Sequence, residues 1–180
     1  MTAPIPHADP SDGLARERTD LLDALAKARY FLRHPSRELT DAQAGSAPSA
    51  SELSVGGLIK HVAQVEENWA NFIVDGPSAM PSWTDPDAGR RHADGFRLLD
   101  GETLADVLAE YEKVAARTDD LVRTLPDLDA AHPLPEAPWF PPGTTWSARR
   151  VVAHIVAETA QHAGHADIVR ETIDGAKSMG

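Results

Sequence analysis

Apolar residues recur along this chain at the three- and four-residue steps of amphipathic helices, and they do so in four separate stretches. The first runs from Asp12 to His34. Its stripe is Leu14, Leu21, Leu25, Ala28 and Leu32, and Pro35 ends it. The second starts near Ser54, whose hydroxyl suits an N-cap. It carries Leu58, Val62, Val65, Trp69 and Phe72 and stops before Asp75-Gly76-Pro77. The third opens at Thr103, stops before Pro126, and aligns Leu104, Val107, Leu108, Tyr111, Val114, Thr118, Leu121 and Leu125. The fourth follows Trp146 with Ser147 as N-cap, carries Val151, Ile155, Val169 and Ile173, and ends near Gly175. No stretch shows sustained strand alternation. Four helices of about 20 residues predict an all-α fold, a four-helix bundle. One domain is expected over residues 11–180, behind a disordered, proline-rich segment over residues 1–10.

The connections are uneven. Residues 41–53 form an Ala/Ser-rich connector. Residues 76–102 hold Trp83, His92 and Phe96, and residues 126–146 hold Trp139, Phe140, Pro141-Pro142-Gly143 and Trp146. Bundle loops usually run about 2–8 residues, and longer ones are often functional. These aromatic residues either wall a pocket at one end of the bundle or cover the ends of its core.

The fourth stripe changes character in its middle. Alternating steps of four and three pass from Val151 and Ile155 through Glu158, His162 and His165 to Val169. At about 100° per residue the three polar residues point the same way, toward the core. Burying such groups without partners costs roughly 2–7 kcal/mol for a neutral polar group and more for an ion. A cation removes that cost, and Glu and His at i, i+4 can reach one ion together. His61, at the edge of the second stripe, adds a third ligand. A triad of His61, Glu158 and His162 leaves one coordination position open to water or substrate, which suits catalysis. The alternative is a metal-free hydrogen-bonded network. His154, one turn before Glu158, reads as an outer partner or a cap. His165 reads as a fourth ligand, a general base, or a donor that orients Glu158. His7, His34, His92 and His132 lie in or beside loops and receive no role.

Composition narrows the chemistry. The 180 residues contain no cysteine, so disulfides, thiolate ligands and a cysteine nucleophile are excluded, and any thiol must arrive on a small molecule. The formal charge of −11 opposes binding to a phosphate backbone, so no nucleic-acid partner is expected. No apolar run approaches the roughly 20 residues of a membrane span, and the first residues lack the features of a secretory signal, so a cytoplasmic protein without membrane association is expected.

Several of these residues resemble the DinB/YfiT superfamily. They are Gly57-Leu58-x-x-His61 with Trp69, then Trp146-Ser147-Ala148-Arg149 followed by His154-x3-Glu158-x3-His162-x-Gly164-His165-x-Asp167. The run from His162 to Asp167, with Arg170-Glu171 and Asp174-Gly175, is similar to the DUF664-type branch. The likeness covers the chain from about residue 14, and its last third is the specific part. It implies a four-helix bundle with a long crossover connection and a three-ligand metal site. The mycothiol-dependent maleylpyruvate isomerase branch uses His, Glu and His, which implies His61, Glu158 and His162 here. A frame starting at His154 would pair His154 with Glu158 instead. The resemblance further implies a divalent metal (Zn²⁺ first, with Ni, Fe or Mn as alternatives), a mycothiol-type thiol cosubstrate, S-transferase or isomerase chemistry, and a homodimer. A metal-dependent hydrolase and a non-catalytic metal-binding stress-response protein are the competing readings. In the preferred mechanism His165 moves the proton. Ordinary histidine and glutamate titrations predict that metal binding weakens below about pH 6.5.

Overall fold

A computed structural model of the protein describes residues 10–82 and 84–179. His7 and Trp83 lie outside them, as do residues 1–9 of the segment expected to be disordered. Pro10 already opens a helix. The described residues form six helices: α1 (Pro10–Arg33), α2 (Asp41–Ala44), α3 (Val55–Asp75), α4 (Ala88–Gly95), α5 (Leu104–Thr124) and α6 (Ala148–Asp174). Two three-residue strands, β1 (Ala131–Pro133) and β2 (Thr145–Ser147), pair antiparallel with His132 opposite Trp146. The fold is therefore mostly helical. The short hairpin and α4 lie inside the two long connections that the sequence leaves as loops.

Capping residues set the ends of the long helices. The Ser54 and Ser147 hydroxyls accept from the Gly57 and Arg150 amides, and Thr103 forms a capping box with Asp106. Gly76, at φ 69°, stops α3 in a conformation open to glycine, and Gly175, at φ 80°, stops α6. The four long helices pack on one another: α1 against α6, α3 against both α5 and α6, and α1 against α5.

The core has two apolar parts. One gathers Leu32, Leu58, Ile59, Val62, Val107, Tyr111, Ala166 and Val169. The other gathers Leu25, Trp69, Phe72, Val122, Val151 and Ile155. On each long helix a polar residue separates them: Arg29 on α1, Glu66 on α3, Thr118 on α5 and Thr159 on α6, all buried. Arg29 grips Glu66 through two bonds, Nη2 to Oε1 at 2.5 Å and Nε to Oε2 at 3.2 Å, and donates to Asp119 at 2.7 Å. The two threonines bond back to carbonyls of their own helices. Leu14, placed on the first stripe by its spacing, is instead exposed, because the buried part of α1 begins a turn or two later.

Candidate metal centre

α3 and α6 run antiparallel along their contact, so His61 meets His162 while Trp69 meets His154. The buried line of α6 is Val152, Ile155, Thr159, Ala163, Ala166 and Arg170. This corrects the expectation that Glu158, His162 and His165 point into the core. The small side chains of Thr159, Ala163 and Ala166 take the innermost positions and let neighbouring helices approach. Two steps of four in a row, from Ile155 through Thr159 to Ala163, shift the buried line one residue onward, so the polar residues move to its flank. Glu158 is 30% exposed and His162 12%. They lie partly buried on the flank of α6 where His162 meets His61 of α3.

Here His61, Glu158 and His162 each offer a ligand atom, and all three atoms lie within 4.8 Å of one another. His162 Nε2 stands 3.7 Å from Glu158 Oε2. Two ligands of one tetrahedral cation, each about 2.0–2.2 Å from it, sit roughly 3.4 Å apart, so the donor set fits a small divalent ion after slight side-chain adjustment. The rings of His61 and His162 meet edge to face with centres 4.9 Å apart. Burial holds His61 in its neutral, ligating form; the neighbouring His162 and His92 act the same way, and its pKa falls to about 3. Burial, then His165, lowers that of His162.

The surrounding residues determine how these side chains are held. His165 Nδ1 lies 3.4 Å from His162 Nδ1, on the ring edge that does not face Glu158. It therefore contacts His162 rather than orienting Glu158. Glu158 is flanked along the helix by two imidazoles, His162 at Oε2 and His154 Nε2 at 3.8 Å from Oε1. His154 is wedged edge-on against Trp69 and Trp146, which stack on each other at 4.9 Å. The guanidinium of Arg150 covers Trp146 at 4.3 Å. Phe140 joins this group from the second long connection, whereas Trp139 remains exposed. Most of these aromatic rings thus close the end of the core and approach Glu158 only through His154.

Phe96, from the first long connection, does the opposite. Its ring stacks on His61 at 3.8 Å with an interplanar angle of 21°. The contact depends on glycine. A Cβ on Gly57 would lie 1.8 Å from the Phe96 carbonyl oxygen, so the backbone of α3 must be bare there. One turn before Phe96, His92 faces His61 with ring centres 5.9 Å apart. The sequence reading gives His92 no role. The signal it passes over is the i, i+4 spacing of His92 and Phe96, which puts both on the face of α4 turned toward α3.

No helix among the described residues is long and apolar enough to cross a membrane. A family model described as mycothiol S-transferase matches residues 20–175 of the chain. Comparison with curated proteins gives no match.

Proposed function

This chain belongs to the mycothiol S-transferase family, within the DinB/YfiT-like superfamily, and on that footing we propose that it joins a mycothiol-type thiol to an electrophilic small molecule at a divalent metal held by His61, Glu158 and His162. The observation that carries this reading is the convergence of those three half-buried ligand atoms from two helices. A cation bound there would hold an incoming thiol as its thiolate near neutral pH. Zn²⁺ suits a set of two imidazoles and one carboxylate.

The chain's own residues provide the rest. Phe96 stacks on His61 and holds its ring in one plane. His165 engages Nδ1 of His162 and so leaves Nε2 for the ion. In this reading it is a positioning residue, and the proton transfer expected of it falls to solvent or substrate. His154 Nε2 stands 3.8 Å from the second carboxylate oxygen of Glu158. The family fold we propose for the four long helices is the four-helix bundle with a long crossover connection, as one domain over residues 11–180. A cytoplasmic homodimer is the expected setting, since two-fold homo-oligomers are the commonest, and sedimentation at micromolar concentration tests the dimer.

The test is turnover of a chlorinated nitroaromatic by Zn²⁺-loaded protein with and without mycothiol. The reading predicts a thioether product that requires the thiol and disappears in His162→Ala. Hydrolysis of an ester or amide at the same centre without any thiol would replace it with metal-activated water.

A further inference from the structure

We propose that α4 supplies a fourth metal ligand, His92, which closes the site at rest and yields to an incoming thiol. The inference rests on the triad reading above and concerns residues outside it. Two imidazoles bound to one tetrahedral cation have ring centres roughly 5 Å apart, given metal–nitrogen bonds of about 2.0–2.1 Å. His61 and His162 are 4.9 Å apart. His92 and His61 are 5.9 Å apart and meet edge to face at 89°. The excess is about 1 Å, within reach of a side-chain rotation on an exposed helix.

The fold presents His92 in that position. α4 is mostly exposed, but Gly95 at its C-terminal end is buried. A Cβ on Gly95 would meet the Gln64 side chain at 2.7 Å, and Phe96 sits on bare Gly57. Lys60 then ties the following chain to α3, reaching the Arg97 carbonyl at 3.4 Å and Glu102 at 2.6 Å. The C-terminal end of α4 is thus pinned against α3, and His92 and Phe96 face His61 one turn apart. His165, the other histidine beside the triad, lies against Nδ1 of His162, away from Glu158. It is less well placed for the same ion.

A thiol then enters by exchange. His92 would give up its place to the thiol sulfur, and the thiol proton would pass to the released imidazole or to buffer. A site closed by His92 protects the ion between turnovers, and an exposed short helix lets the ligand leave.

The experiment compares wild type, His92→Ala and His165→Gln, each loaded with Co²⁺ or Zn²⁺. Absorption reads the Co²⁺ coordination and competition with a chromophoric chelator reads the Zn²⁺ affinity. Wild type should show a four-coordinate Co²⁺ spectrum. His92→Ala should change it and lose about tenfold or more in Zn²⁺ affinity, with the melting of the metal-free protein unchanged. Mycothiol should make the Co²⁺ spectra of wild type and His92→Ala converge. An unchanged spectrum and an affinity within twofold for His92→Ala would overturn the proposal while leaving the triad intact. The same would follow if His165→Gln, and not His92→Ala, produced the change. Wild type that binds neither ion would instead defeat the triad reading itself.

Discussion

His61 is neutral far below the pH at which histidine ordinarily protonates, and this has two measurable consequences. In the metal-free protein its folded pKa is about 3, against roughly 6.5 unfolded. As pH falls through that window the unfolded chain takes up the proton and the folded one does not, so stability is lost on acidification and regained as pH rises. Burial moves His154 and His162 in the same direction. Urea midpoints of chelator-treated protein should therefore fall steadily from pH 6.5 toward 4, and His61→Phe should flatten the slope. A midpoint independent of pH would contradict the burial of His61. The second consequence bears on metal release, which ordinary titrations place below about pH 6.5. His61 does not compete for protons near pH 6.5, so half of the bound Zn²⁺ should be lost only below that pH. The convergence of His61, Glu158 and His162 was legible because Glu158 and His162 stand at i, i+4 and His61 matches a family pattern. Their burial was not, since a helix with Thr159, Ala163 and Ala166 at its centre rotates toward its small residues. Arg29 and Glu66 were passed over although each stands between stripe positions, Arg29 between Leu25 and Leu32, Glu66 between Val62 and Trp69.

At the scale of elements, α4 and the hairpin explain what the long connections do. The sequence marks both connections as too long for simple turns and rich in aromatic residues, but their partners are set by contacts distant in sequence. Phe96 depends on Gly57, 39 positions earlier, and Trp146 on Trp69. This makes Gly57 a test of the element. Gly57→Ala puts a methyl group into the Phe96 backbone, and overpacking of this kind typically costs about 1–3 kcal/mol. The expected result is a stable but weakened protein in which the chain around Phe96 detaches from α3. Faster amide exchange at residues 95–98, with little change in α5, would report it. Equal exchange in both variants would show that the glycine is not what seats Phe96.

Across the whole molecule the polar layer of Arg29, Glu66 and Asp119 lies between the two apolar clusters and touches α1, α3 and α5. Glu66 has no exposed surface, so removing its partner leaves a buried charge. Breaking such a pair typically costs ~3–5 kcal/mol, whereas replacing both members with apolar residues can be neutral or better. Arg29→Met alone should therefore lower the urea midpoint far more than Arg29→Met combined with Glu66→Leu. Equal losses would mean that the layer contributes by packing and not by charge pairing. Glu66 is five residues beyond His61 on α3, and the buried Thr159 of α6 lies between Glu158 and His162. The pairing of α3 with α6 thus buries Glu66 and Thr159 and brings His61, Glu158 and His162 together.

In the proposed reading His61, Glu158 and His162 hold a metal to which a small thiol binds. That reading is tested most directly by titrating Co²⁺-loaded protein with mycothiol and recording the near-ultraviolet spectrum. The account predicts a thiolate-to-cobalt charge-transfer band that saturates with thiol and is absent in His162→Ala, which should also fail to retain the ion. Full Co²⁺ occupancy in His162→Ala, or a wild-type spectrum unchanged by the thiol, would contradict it.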